Sequence, residues 1–509
     1  MPIGLVLVLM VFLRWGGAKA GPAGWLAALL VGSLIFRGNA RLLAYSQLES
    51  LLLTLFVLYI IWTALALFRV VEAAGSIGVI GQGIARLTTD RLLQLLILAW
   101  AFSAFLQGVA GFGVPVAVVA PLLIGLGFDP VIAVAGTAIG HSWSVTFGDI
   151  ASSFNALIAT SGLDGWALAP WSGIFLGVAC LGCGLSVAHL FGRWRALARG
   201  IPAIILVGGT MALTQYLLAV NGLWNLAGFV AGMVGLGGSA AVTRLPVYRG
   251  RASPTEQRAD VGEPSPSMSF WLAVLPYLVL IVAVTLAELW EPLHRALNEV
   301  KLTASFPEVA TGLGWVTPAR MGKQISVFGH GGALLAYTAL VAFLVYRATG
   351  RLRRSDLPAI VSRTVRSAIP SSLGIASMVG MAMIMQRCGM THVLATGLSS
   401  VLGRAFPLAS PFIGLLGAFM TGSNTNSNVV FALLQKNTAE MVGAGVTVIL
   451  GAQTAGGALG SMIAPAKVIV GCSTAGLEGR EGQVLRLTLP YALLITMALA
   501  LLALLVAGR

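Results

Sequence analysis

Apolar runs alternate with short polar stretches along the whole chain. Leu51 to Phe68, Trp171 to Leu190, Phe270 to Leu286 and Leu485 to Val506 each approach the ~20 residues that a helix needs to cross a bilayer core. Together the runs predict an all-α polytopic membrane protein with about 12 transmembrane helices. A few apolar segments are too short or too interrupted by glycine to cross alone. The stretch Ile3 to Leu13 has no charged residue before it and no clear small-residue cleavage site, so it predicts a short first span or an uncleaved anchor.

The most polar internal stretch, 244–269, carries Pro254, Pro264 and Pro266 among Ser, Glu and Arg and predicts a cytoplasmic linker. It divides an N-terminal membrane half, 1–243, from a C-terminal half, 270–509. Arginines cluster at Arg193, Arg195 and Arg199, at Arg244, Arg249, Arg251 and Arg258, and from Arg347 to Arg366. Two spans separate each cluster from the next, which places all three on one face, cytoplasmic by the positive-inside rule. Residues at about 291–330, with Glu291, Glu299 and Glu308, then form an external loop with a surface helix.

Composition sharpens this picture. Hydrophobic residues make up 57% and charged residues 9% of the chain, whereas a soluble domain carries about a quarter charged residues. The partner is therefore the lipid bilayer, and a multi-pass protein of the bacterial inner membrane is expected. The net charge of +14 would suggest nucleic acid in a soluble protein. Here the arginines sit in loops beside spans, and no nucleic-acid partner is expected. Cys180 and Cys183 have CxxC spacing but lie inside an apolar span with no second pair, so packing explains them and no metal is expected.

The two halves are related. Ala104-Phe105-Leu106-Gln107-Gly108 is echoed by Ala418-Phe419-Met420-Thr421-Gly422, and each is followed by a stretch unlike an ordinary span. In the first half this is Val109 to Pro115; in the second it is Ser423-Asn424-Thr425-Asn426-Ser427-Asn428. A small, polar patch follows in each half, Gly140 to Asp149 and Gln453 to Ser461. The paired interruptions, near 104–149 and 418–467, predict two inverted-type repeats with paired re-entrant hairpins or broken helices. Irregular backbone inside the hydrocarbon layer is tolerated only where protein or a wet cavity satisfies it, and its free N–H groups can hold a carboxylate.

On this reasoning Gly108, Gly111, Gly113, Gly456 and Gly457 are candidate substrate contacts through their backbone, with close helix packing as the alternative role. Ser423, Asn424, Thr425, Asn426, Ser427 and Asn428 are candidates through amide and hydroxyl groups. Gln107, His141, Ser142 and Asp149 are candidates for coupling or gating: an ionisable group such as His141 or Asp149 within a span is costly unless it is used, and Gln107 and Ser142 add uncharged polar groups in the same interrupted segments. His141 suits a proton relay or an anion contact, and Asp149 can pair with it, bind a cation or cap a loop. Lys467 is read as snorkelling to the interface, with positive charge for an anion site as the alternative.

At these same residues the sequence resembles the L-lactate permease family. The resemblance is carried by Ala104 to Ala117 with Leu122 to Phe128, by Phe419 to Asn428, by Ala455 to Pro465 and by Gly476 to Gly482. It implies secondary transport of small organic anions, lactate, glycolate or related 2-hydroxy-monocarboxylates, usually by proton symport. It further implies alternating access, with a transport domain moving past a homodimeric scaffold. Gln107 and Asn424 stand where relatives commonly carry acids, so the coupling ion, H⁺ or Na⁺, stays open, as does a different carboxylate or a sulfonate as substrate. An enzyme is not expected, since the chain has no HExxH, GxSxG or P-loop and only scattered histidines. A channel would leave the matched interruptions unexplained.

Overall fold

The protein is described here from a computed structural model covering residues 2–11, 13, 15–109, 111, 113–248, 268–477 and 480–508. Most of the linker, 249–267, lies outside the described residues. Among those described, ten helical stretches are long and apolar enough to span a membrane. One of them, Gly165–Val220, reverses at Gly192 and Arg193, so that residues 165–191 and 194–220 form two antiparallel legs. Gly173 meets Tyr216, Gly177 meets Ala212 and Gly200 meets Ala188 along the pair. The N-terminal helix Pro2–Val11 is ten residues long. At 1.5 Å per residue it spans about half of a bilayer core, and it folds back on Gly17–Leu34, where Val6 lies against Gly24, rather than crossing alone.

The interruptions read from the sequence have two different geometries. Arg91–Val109 and Val114–Gly125 are the arms of one hairpin: at its base Arg91 donates to the Leu126 carbonyl at 2.5 Å and lies over the Phe128 ring. Phe406–Thr421 and Asn424–Val442 form a second hairpin, where Ser427 donates to Gly414 O at 2.8 Å and Gln435 to Ser410 O at 3.1 Å. By contrast, Pro130–Ser142 and Gly148–Ser161 do not pack side by side, and neither do Val446–Gly460 and Pro465–Thr474. Each of these pairs is one crossing broken in the middle.

Small residues bring each hairpin against its broken helix in the same way. A Cβ on Gly140 would collide with the Ala99 carbonyl, and one on Gly456 with the Pro411 carbonyl. The first arm of each hairpin thus lies parallel to the first half of the broken helix that follows. The hairpins enter from opposite faces. The first has its base beside the arginine-rich face, where Asp90 pairs with Arg199. The base of the second lies under residues 301–326, with Met441 and Trp315 on one outer cavity.

That outer segment departs from an all-helical expectation. After the surface helix Glu291–Leu297, six two-residue strands pair as β1(Lys301–Leu302) with β6(Ile325–Ser326), β2(Ser305–Phe306) with β5(Arg320–Met321), and β3(Val309–Ala310) with β4(Val316–Thr317). The nesting makes one interrupted antiparallel ribbon, a strap that runs over the helix ends at Arg37 and Arg387. Gly312 N donates to Arg37 O at 2.9 Å, Trp315 packs on His392, and Thr317 donates to Arg387 O at 3.0 Å.

The strap ends at His330, which caps the helix Gly331–Ala348 by accepting from Gly332 N at 3.2 Å. Its ring stacks on Tyr59 at 5.1 Å and meets the edge of Phe56 at 4.6 Å. Burial first, and the Lys323 charge second, pull its pKa from 6.5 to about 4. The folded state therefore holds His330 neutral where the unfolded chain takes up a proton. Its contribution is complete above the unfolded value and is lost as pH falls through the window down to about 4, on the order of 3 kcal/mol in all. Thermal unfolding in detergent should show Tm falling through this window in the native chain and less steeply in His330→Asn, which keeps a cap without a titrating ring. Equal slopes for the two proteins would remove His330 from the acid response.

Candidate substrate site

All four interruptions meet at one small cavity. Its walls are Gln107 and Gly111 from the first hairpin, Val145 and Asp149 from the first break, and Lys467 beyond the second break. Gly422, Ser423, Asn424 and Thr425 close it from the second hairpin, and Ser152 and Ser153 from the helix after Asp149. The second arm of each hairpin and the second half of each broken helix all begin here. Gly113, Ser423 and Ala464 cap three of them, and the fourth resumes right-handed helix at Ser152, after the left-handed residues Asp149 to Ala151. Some first-turn groups are already used, Val114 N by Gly111 O, Asn426 N by the Ser423 hydroxyl and Lys467 N by Ala464 O, and the remaining N–H groups bring the positive ends of helix dipoles to the cavity.

The backbone turns that achieve this are visible locally. Gly422, at φ 72°, ends the first arm in a left-handed turn, and the Ser423 hydroxyl then accepts from Asn426 N at 3.4 Å to start the second. Gly113 makes the equivalent turn in the first hairpin at φ 87°. At the first break, Asp149, Ile150 and Ala151 hold φ of 50°, 50° and 55°. L-residues adopt this conformation at a cost of roughly 1–2 kcal/mol each, and such strain persists where surrounding structure enforces it. It aims the Asp149 carboxylate at Gly111 and the cavity.

Asn424 ties the interruptions together. Its Nδ2 donates to Thr146 Oγ1 at 3.0 Å and to Thr454 O at 3.2 Å, one residue from each broken helix. Thr425 and Ser153 hydroxyls pair at 3.0 Å. Behind them Asn428 donates to Ser153 O and Thr454 Oγ1, and Gln453 donates to Asn428 Oδ1, all at 2.8 to 2.9 Å. Three buried oxygens around the cavity lack a donor: Gln107 Oε1, Asp149 Oδ1 and Asn424 Oδ1. In a low-dielectric interior such acceptors are costly unless a ligand, a proton or an ion supplies the missing partner.

The structure separates the candidate residues into three groups. Gln107, Gly111, Asp149, Ser423, Asn424 and Thr425 line the cavity, with Gly113 and Gly457 against them: Gly113 faces the Lys467 stem, and a Cβ on Gly457 would strike Asn424 Oδ1. Ser427, Asn428 and Asn426 stand behind; Ser427 locks the hairpin arms and Asn426 faces Gly17. Gly108 and Gly456 are packing positions, pressed on the backbones of Phe229 and Pro411. Ser142 is also turned away, its hydroxyl donating to Ile139 O and meeting Cys183 Sγ at 3.4 Å. His141 is fully buried with Nδ1 at 2.8 Å from Thr137 O, and its Nε2 has no partner; the ring lies outside the cavity wall.

Lys467 corrects a sequence-based expectation. Instead of snorkelling, it is 7% exposed and lines the cavity, with no carboxylate in ion-pair range among the described residues. The helix Pro465–Thr474 starts at the break, which leaves Lys467 in its first turn at mid-membrane, too deep for the side chain to reach either face. Ser152, Ser153 and Thr454 were not singled out from the sequence. The first two follow Asp149 by three and four residues, at the start of the helix after the left-handed turn.

Among the described residues no group of three or more His, Cys, Asp or Glu could hold a metal ion. The family profile for L-lactate permease matches residues 1–508. The chain is 28% identical to the L-lactate permease of Bacillus subtilis (strain 168), covering 96% of this chain and 92% of that protein. It is 26% identical to the glycolate permease of Escherichia coli (strain K12), over 99% and 94%. Among solved structures, the YdaH transporter of Alcanivorax borkumensis aligns over 88% of this chain and 84% of that one, at 16% identity and a TM-score of 0.46.

Proposed function

The chain belongs to the L-lactate permease family of membrane transporters, and from that premise we propose that it is a secondary transporter of small 2-hydroxy-monocarboxylates of the lactate and glycolate type, working by alternating access in a bacterial inner membrane. The observation that carries this reading is the convergence of four helix N-termini and Lys467 on one buried cavity. An anion is what such a site attracts: N–H dipoles and an ammonium hold carboxylate oxygens. The unpartnered oxygens complement it. Asn424 Oδ1 is an acceptor for a 2-hydroxyl group, and Asp149 with Gln107 Oε1 offers oxygens to the coupling cation, H⁺ or Na⁺.

The cavity encloses about 30 Å³, room for one water rather than a substrate. Binding therefore requires a hairpin tip to withdraw. Because the hairpins enter from opposite faces, retraction of the first opens the site toward the arginine-rich face and retraction of the second toward the strap. Two gates in alternation give exchange without a continuous pore. A homodimer is the proposed assembly, with the helices beneath the strap as the static part.

Uptake of radiolabelled lactate into proteoliposomes, with proton and sodium gradients imposed separately, tests this. Accumulation should follow one gradient, compete with glycolate, and drop roughly 10- to 100-fold in Asn424→Ala, the loss expected for a buried hydrogen-bond hub. Accumulation of another carboxylate or a sulfonate in place of lactate would retain the transporter and change its cargo. Unaltered kinetics in Asn424→Ala would move the site elsewhere.

A further inference from the structure

We propose that the outer face holds a second anion site, a shallow antechamber for small carboxylates between the strap and the second hairpin. The proposal rests on the carboxylate reading of the inner site. A cavity of about 520 Å³ lies there, bounded by Arg320 and Lys323 of the strap, by Thr160 to Leu163 at the end of the first broken helix, and by Lys436 on the second hairpin. Among the described residues the only acid in its wall is Glu49. That carboxylate is already engaged, accepting from Arg387 Nε at 2.8 Å and from Arg320 at 2.9 Å. Arg320, Lys323 and Lys436 in the wall are three cations against one carboxylate, a surplus of two positive charges, and Arg387 bonds that carboxylate from behind the wall.

None of the lining cations has its donors used up. Lys323 lies over the Phe56 ring at 4.5 Å and has no carboxylate in ion-pair range among the described residues. Burial pushes its pKa below the usual lysine value, the mark of an ammonium that has lost hydration without gaining a counter-ion. Arg320 Nε has no acceptor. Lys436 donates one hydrogen bond, to Ser161 O at 3.0 Å, of the three an ammonium can make. Glu440, one turn further along the helix, borders the neighbouring cavity and not this one. Leu53, Ile158, Met383 and Leu433 supply an apolar wall suited to a short hydrocarbon tail.

The position suits a waiting place for substrate. Lys436 lies twelve residues beyond Asn424 on one helix, and Ser161 twelve residues beyond Asp149 on its neighbour. At 1.5 Å per residue the Asn424-to-Lys436 path puts the cavity about 18 Å outward of the inner site, and the neighbouring path is helical from Ser152 to Ser161. A cationic vestibule with low-dielectric walls concentrates anions at its mouth and raises their rate of entry.

The test reads local potential directly. Gln324 is exposed and lines the cavity, and the four native cysteines are buried. In the full-length Gln324→Cys protein, an anionic methanethiosulfonate should react faster than a cationic one, by ~10-fold or more over their ratio on a free thiol. Labelling of the native chain serves as baseline. The preference should shrink to within about 2-fold in Lys323→Gln/Lys436→Gln, and acetate or lactate should slow labelling where chloride at equal ionic strength does not. A ratio equal to the free-thiol value, or protection by chloride as strong as by carboxylate, would overturn the proposal. The reading does not depend on transport. Charge preference with carboxylate protection but no lactate accumulation would keep the antechamber and change the cargo; lactate accumulation without the preference would keep transport and discard the antechamber.

Discussion

Lys467→Met should lower lactate uptake by roughly 100-fold or more while the protein stays monodisperse in detergent, the equivalent of about 3 kcal/mol. Among the described residues, Lys467 is the one cationic side chain in the wall of the inner cavity, and Asp149 is the one carboxylate. Without the ammonium, an entering carboxylate would meet helix dipoles and a like charge. Each dipole end carries only about half an elementary charge and is shared with the local backbone. Lys467→Arg keeps the charge in a bulkier form and should retain part of the activity. The double variant Lys467→Met/Asp149→Asn separates two roles. If Lys467 acts on the substrate, the double variant stays inactive; recovery of uptake would mean that Lys467 only balances Asp149.

Glu49→Gln should cost about 3–5 kcal/mol of stability, the range for removing one partner from a buried ion pair. Glu49 bridges Arg387, whose side chain is wholly buried, and Arg320 of the strap. The amide leaves the wholly buried Arg387 guanidinium with a neutral partner and frees Arg320 at the cavity wall. The expected readout is a Tm lowered by several degrees, with earlier proteolysis of the strap. Glu49→Leu/Arg387→Met should recover part of the loss, because a well-packed apolar pair avoids the desolvation cost. If Glu49→Gln melts like the native chain, water reaches the cluster and the pair contributes little.

Much of the architecture was legible along the chain. The membrane class followed from run length, since an apolar helix of about 20 residues has few other uses. The two interrupted regions were legible because polar and glycine-rich segments are too costly at membrane depth to occur without reason. Gln107, Asp149 and Asn424 could all be singled out from those segments, but the partner read for Asp149, His141, lies outside the cavity wall that holds the other three. The strap was not legible: its strands are two residues long and pair across loops, below what any periodicity reveals.

Within the site, sequence and structure divide along a physical line. Residue type and spacing determined which segments break and which carry polar groups, because those depend on local backbone chemistry. Only the tertiary structure decided which side chains face the cavity. Gly108 and Gly111 are three residues apart, yet one is pressed against Phe229 and the other lines the cavity beside Asp149. Lys467 looked free to snorkel until the break at Ser461 to Ala464 fixed its depth. Depth and facing are set by how whole helices stack, through close approaches such as Gly140 on Ala99 and Gly456 on Pro411, and those belong to pairs of segments that no local stretch of sequence contains.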